Sequence, residues 1–167
     1  MSDYARVCAI DPGYRNFSFC VADNFTWRRP IQWALVDLWP PAPGRRATPT
    51  TEDVIAVTHQ WCADNDALLR SCDAIVIEKQ MRTPFIVMCT VVQALYFSRV
   101  RVVSPMTVGA FFSLPKTRQA KKAVGVVVCK KHAVMEDVDK LDDLADAWMM
   151  TVWALVKRGA ISALELK

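Results

Sequence analysis

Five glycines and nine prolines among 167 residues are too few for a collagen-like or linker chain. No uncharged apolar run approaches the roughly 18 residues that a membrane span needs, so no membrane partner is expected. Residues 1–6 lead into a short apolar strand and lack the layout of a secretory signal. The six cysteines, at positions 8, 20, 62, 72, 89 and 129, contain no C-x-x-C pair, which argues against a zinc site or a disulfide framework. Four of them sit inside apolar runs and read as buried thiols in an intracellular, reducing compartment. Internal repeats, low-complexity stretches and linkers are also missing. What is plentiful is apolar side chain: hydrophobic residues are 53% of the sequence and charged residues 23%. That supports a packed core and one domain over 1–167.

The net charge of +4 is mild, but its distribution is uneven. Lys116, Arg118, Lys121, Lys122, Lys130, Lys131 and His132 fall in a stretch without an acid. Glu136, Asp137, Asp139, Asp142, Asp143 and Asp146 follow around a single Lys140. A basic block beside an acidic one suits a protein that grips a polyanion and does metal chemistry at one point. It also suits two solvated helix ends of opposite sign, and charge alone does not choose between them.

Hydrophobic patterning predicts strands over 5–10, 16–22 and 31–38, forming an antiparallel meander, with a type II turn at Asp11-Pro12-Gly13-Tyr14. The Pro- and Arg-rich stretch 39–49 reads as a surface loop. A helix capped by Thr51 is expected to run to about Arg70, burying Val54, Val57, Trp61, Leu68 and Leu69. A strand follows over 73–78. Thr83-Pro84 opens an almost wholly apolar helix to about Ser98, expected to be deeply buried. A strand over 100–103, a short helix over 106–112, a helix over 118–131 weakened by Gly125 and a helix over 140–157 complete the chain. Leu141, Leu144, Ala145, Trp148, Val152 and Leu155 form the apolar stripe of that last helix. The order predicts an α/β fold with a mixed five-stranded sheet, an antiparallel meander and then parallel strands, flanked by helices.

Asp11 and Glu78 each end a buried strand, where a carboxylate is held rigidly. Asp143 and Asp146, three apart on the last helix, share one face. Asp11 before Pro-Gly also suits a plain turn, and acids in a first helical turn serve the helix dipole. If the four carboxylates converge, they repel one another unless a cation intervenes. Oxygen-only ligands select Mg²⁺ or Mn²⁺, and two such ions suit hydrolysis of a phosphodiester.

These residues resemble the motifs of the RuvC-type Holliday junction resolvases of the RNase H-like (retroviral integrase) superfamily, and most closely the poxvirus-type viral enzymes. Asp11-Pro12-Gly13-Tyr14-Arg15-Asn16 is similar to the first-strand motif, although Pro12 is closer to the bacterial resolvases. Ile77-Glu78-Lys79-Gln80, followed by Arg82-Thr83-Pro84, is similar to the second motif. Lys140-Leu141-Asp142-Asp143-Leu144-Ala145-Asp146-Ala147 is similar to the last-helix motif. The resemblance implies an RNase H-like fold and a Mg²⁺-dependent endonuclease that nicks four-way DNA junctions symmetrically. It implies Asp11, Glu78, Asp143 and Asp146 as catalytic metal ligands for two Mg²⁺, with Mn²⁺ as a possible substitute. Asp142, Lys79 and Lys140 would stand beside the ligands. Lys116, Arg118, Lys121, Lys122, Lys130, Lys131, Arg82 and Arg15 would hold DNA. A homodimer is implied, matching a two-fold substrate with a two-fold enzyme, and the apolar helix over 83–98 could serve either as its interface or as plain core. No small-molecule cofactor is expected. The viral likeness implies a virus-encoded protein acting at viral DNA replication sites. Three alternatives stand beside this reading: another RNase H-like nuclease cutting RNA/DNA hybrids, flaps or other branched DNA, a binding module without catalysis, and an actin-like ATPase, for which the chain is about half the necessary length.

Overall fold

The computed structural model describes residues 5–134 and 141–166. Five strands, β1 (Arg6–Asp11), β2 (Phe17–Asp23), β3 (Gln32–Val36), β4 (Ala74–Glu78) and β5 (Val100–Val103), form one sheet in the order β3-β2-β1-β4-β5. β1, β2 and β3 pair antiparallel, while β4 and β5 run parallel to β1. The predicted mixed sheet is therefore present, with the central strands buried on both faces.

Alternation along each strand assigns its side chains to the two faces. Val7, Ala9, Cys20, Ala22, Ala74 and Val76 share one core with α6 (Leu141–Lys157) and with Cys129 of α5 (Arg118–His132). Cys8, Ile10, Phe17, Phe19, Val21, Ile75 and Ile77 share the other with α1 (Thr51–Asp64) and α3 (Thr83–Leu95). The short helices α2 (Asp66–Arg70) and α4 (Pro105–Phe111) and a 3₁₀ turn at Ala163–Leu166 complete the elements. All six cysteines are buried as thiols, outside any disulfide. Among the described residues no helix is long and apolar enough to cross a membrane.

Several expectations need correction. Gly13 has no positive φ, so the type II turn is not at residues 11–14. Gly13 is required there because a Cβ would lie 2.9 Å from the Asn16 carbonyl oxygen. A Pro-Gly turn of that kind occurs instead at 42–45, where Gly44 takes φ 73° and the Arg45 N–H reaches Ala42 O at 3.0 Å. The cap of α1 is Thr50, which exchanges bonds with Asp53 in a capping box, and the helix breaks at Asn65. Within it Thr58 and Cys62 are buried with Val54 and Trp61. The helix predicted over 83–98 ends at Leu95 and is not deeply buried: Ile86 is 45% exposed, and Phe97 just beyond the helix is 84% exposed. Met88, Cys89 and Val92 are its buried residues, with Phe85 and Val87 packed against the same core partly buried. By contrast α6 buries its whole predicted stripe and also Ala147, Met149, Met150, Thr151 and Ala154.

Candidate active site

Asp11 and Glu78 follow Ile10 and Ile77, which are register partners on adjacent parallel strands. By the two-residue period both carboxylates emerge on the face that α6 covers. Helix α6 is fastened to that face at its first turn. Ser18, the cross-strand partner of Asp11, donates its hydroxyl to the Asp143 main-chain carbonyl at 2.8 Å. Further along, the Thr151 hydroxyl reaches Cys20 O at 3.1 Å and the Trp148 indole N–H reaches Trp27 O at 2.8 Å. This fastening carries Asp143 and Asp146 to the ends of β1 and β4. All four acids line one open cavity of about 540 Å³.

Helix α5 closes the side of this cavity. Its Gly125 lets the two helices approach, since a Cβ there would meet Met149 Cε at 2.9 Å. The glycine that weakens the helix on propensity is thus the point where α5 meets α6. One turn earlier, Lys122 donates to Asp143 Oδ1 at 2.9 Å and also to the Asp142 carboxylate. Arg118 and Lys121 line the same cavity. Tyr14, Arg15, Arg82 and Phe85 also line it, with the Tyr14 and Phe85 rings 5.9 Å apart. Gln80 donates one amide nitrogen to Asp11 Oδ1 at 3.4 Å and to Glu78 Oε1 at 3.2 Å, which ties the two strand-end acids together.

The electrostatics follow from this crowding. Burial, then the charges of Glu78, Asp146 and Asp143, push the Asp11 carboxyl well above its ordinary range, with Lys122 opposing. Burial and Asp146 raise Glu78, against Lys121, Gln80 and Lys122. Burial raises Asp146, with Lys121 and Lys122 opposing. Asp142 ends below its ordinary value because the Lys122 hydrogen bond and charge outweigh its burial. Four oxygen donors with repelling charges have the chemistry that a hard divalent cation requires. Among the described residues no three His, Cys, Asp or Glu side chains already ring a single point. Lys122 supplies the positive charge beside Asp142 and Asp143 instead.

The structure thus brings together Asp11, Glu78, Asp143, Asp146, Arg15, Arg82, Arg118, Lys121 and Lys122. Asp142 touches Lys122 from outside the lining. Lys79 and Lys116 are exposed and do not line the cavity. Lys130 and Lys131 lie about 18 Å further along α5 from Arg118, at 1.5 Å per residue, near the turn between β2 and β3. There the Val134 N–H reaches Arg28 O at 2.7 Å. Burial and the charges of Lys131 and Arg28 hold His132 below its usual range. Lys140 and Asp139 lie outside the described residues. Sequence reasoning missed Ser18 and the bridging role of Gln80. For Ser18 the signal was a small polar residue on an otherwise apolar strand.

A family model described as poxvirus A22 protein matches residues 48–158. No curated protein sequence matches the chain. Among solved structures, fowlpox virus resolvase in complex with its substrate Holliday junction DNA superposes with a TM-score of 0.63 at 15% identity, covering 92% of this chain and 98% of that one. The yeast mitochondrial Holliday junction resolvase Ydc2 superposes with a TM-score of 0.63 at 17% identity, covering 98% and 86%. Thermus thermophilus RuvC with a Holliday junction substrate gives 0.58 at 17% identity, covering 93% and 97%. At these identities the likeness establishes a shared RuvC-like fold.

Proposed function

The chain belongs to the poxvirus A22 protein family, and from that premise we propose that it is a structure-specific endonuclease resolving four-way DNA junctions. The observation that carries the proposal is the convergence of Asp11, Glu78, Asp143 and Asp146 from β1, β4 and α6 on one cavity, beside the cations of α5. The four carboxylates would hold two divalent cations, Mg²⁺ or Mn²⁺ by donor hardness. Such ions supply Lewis acidity to phosphodiester hydrolysis.

The residues of the chain do the rest. Asp11 and Glu78 stand on rigid strand ends, and Gln80 fixes their mutual orientation. Arg118, Lys121 and Lys122 of α5, with Arg15 and Arg82, hold the phosphates that enter the cavity. Lys122 balances Asp142 and Asp143 in the chain alone. Tyr14 and Phe85 offer aromatic faces where paired DNA would open. Lys130 and Lys131 meet an arm away from the chemistry.

Residues 1–167 act as one domain and pair into a homodimer, so that two sites nick two strands symmetrically. The uncharged outer side of α3, with Ile86, Thr90, Ala94 and the adjoining Phe97 exposed, is the surface for that pairing. The setting is a reducing compartment at sites of viral DNA replication.

The test is a purified four-way junction incubated with the protein and Mg²⁺, beside RNA/DNA hybrid and flap substrates. Paired nicks in the junction, abolished by EDTA, are expected. Asp143→Asn should bind the junction and fail to cut it. Cutting by that variant at the wild-type rate, or faster cutting of hybrids or flaps, overturns the proposal.

A further inference from the structure

The loop between β3 and α1 lies on the surface, yet it is built around a buried aromatic residue. Trp39 is buried, and its indole N–H donates to Arg46 O at 2.9 Å. The Arg45 guanidinium lies 4.5 Å from the Trp39 ring centroid and donates to Pro40 O at 2.9 Å. Pro43-Gly44 makes the turn that presents both arginines, with Gly44 at φ 73°. Arg45 and Arg46 stay exposed, and no acid occurs between residues 38 and 51. Acids flank the stretch: Asp37, which accepts the Trp39 N–H at 2.9 Å, then Glu52 and Asp53 in the first turn of α1, where the Asp53 carboxylate accepts the Thr50 N–H and hydroxyl, each at 2.9 Å. Its lowered pKa reflects first those bonds and then the charges of Arg46 and Arg45.

The loop is continuous with the candidate active site. Arg15 lines the acidic cavity and donates to Ala47 O at 3.2 Å. Arg118, Lys121 and Lys122 of α5 line the same cavity. Arg15 thus joins the loop that carries Arg45 and Arg46 to the cavity that holds the acids and the α5 cations.

We propose that the loop over 39–49 is a second wall of the DNA path, with Arg45 and Arg46 gripping the sugar–phosphate backbone of the arm that leaves the site past Arg15. This inference rests on the junction-binding reading. Stacking on Trp39 orders the Arg45 side chain before DNA arrives, so binding costs less conformational entropy.

The experiment measures junction affinity across a salt series. On duplex DNA, every phosphate that the protein ceases to neutralise lowers the slope of log K against log salt by about 0.9. Arg45→Gln/Arg46→Gln should bind more weakly, with the slope reduced by about 2. Arg45→Lys/Arg46→Lys should keep the slope. Lys157→Gln/Arg158→Gln removes the same charge from the exposed far end of α6 and should leave the slope unchanged. An Arg45→Gln/Arg46→Gln slope equal to wild type overturns the inference, as does an equal reduction in the Lys157→Gln/Arg158→Gln variant. A wild-type protein that does not prefer the junction over duplex overturns the function itself, which separates the two failures. One further measurement does not remove the arginines: with all six native thiols buried, Ala42→Cys takes a tethered DNA-cutting reagent selectively. Scission of one arm beside the nick supports the wall, and absence of scission in a bound complex refutes it.

Discussion

Toward α6 the sheet presents mostly small side chains, Ala9, Cys20, Ala22 and Ala74 with Val7 and Val76 among them, and the helix fills the space with Trp148, Met149 and Met150. Toward α1 and α3 the sheet presents Ile10, Phe17, Phe19, Ile75 and Ile77, which meet Trp61, Val54, Met88 and Val92. Bulk comes chiefly from the helix on one face, and from strands and helices together on the other. Small strand residues let the α6 backbone come near enough for Ser18 to bond the Asp143 carbonyl directly. The short aspartate side chains of α6 then reach the strand ends. On the opposite face large strand side chains hold the helices off, and neither α1 nor α3 brings a carboxylate to the cavity. Face by face, packing close to the backbone accompanies chemistry and packing through bulk accompanies support.

The largest expected effect comes from taking the bulk out of α6. Trp148 is fully buried and its indole N–H is bonded, so Trp148→Ala should cost about 3–5 kcal/mol, read by urea denaturation. A cost no greater than that of Val92→Ala on the other face would break the comparison.

Next, bulk added to the close-packed face should push α6 outward. Ala9→Leu is expected to cost about 1–3 kcal/mol by overpacking and to reduce nicking far more than the folded fraction falls. Ile10→Val, one residue away on the opposite face, should cost about 0.5–1.5 kcal/mol with activity tracking the folded fraction. Equal activity losses in the two would show that helix distance does not govern the site.

A gentler effect concerns pH. Asp11, Glu78 and Asp146 all hold their protons more tightly folded than unfolded. In chelator, the stability they contribute is fully present below the unfolded carboxylate range near about 4 and is lost as pH rises through their raised native values. Asp142, which is depressed, acts oppositely and only as pH falls through its own lower value. Denaturation from pH 4 to 8 should therefore show declining stability, flattened by Asp11→Asn. Stability rising across that interval would mean the acids are not crowded. The smallest change in fold stability is expected on the outside of α3, where Ile86→Lys should alter it by less than about 0.5 kcal/mol and yet shift the protein to monomer in sedimentation. A variant that still dimerises would assign the pairing surface elsewhere.

Much of this was legible in the sequence because the signals were local. Short apolar runs bounded by turn residues marked all five strands, and an acid closing an apolar strand marked both Asp11 and Glu78. The face assignment of α6 followed from its spacing. What escaped was non-local or degenerate. Hydropathy reads α3 as core because apolar composition does not report which side of the helix the rest of the chain covers. The Lys122 contacts with Asp142 and Asp143 span 20 and 21 residues, and no periodicity encodes them. Pro-Gly occurs at 12–13 and at 43–44. Only the second takes the positive φ, because the first is committed to a close approach to Asn16.

The hydroxyl of Ser18 reaches across 125 residues of sequence to the last helix. Contacts of such separation form late in folding, after the local ones have offset the entropy of loop closure. Neither half of the acid set makes the proposed site alone, so the four carboxylates come together only when α6 docks. Any loosening of that helix scatters the acids while the sheet is still whole, so on the proposed function the seat of α6 is a built-in safety catch against stray nicking.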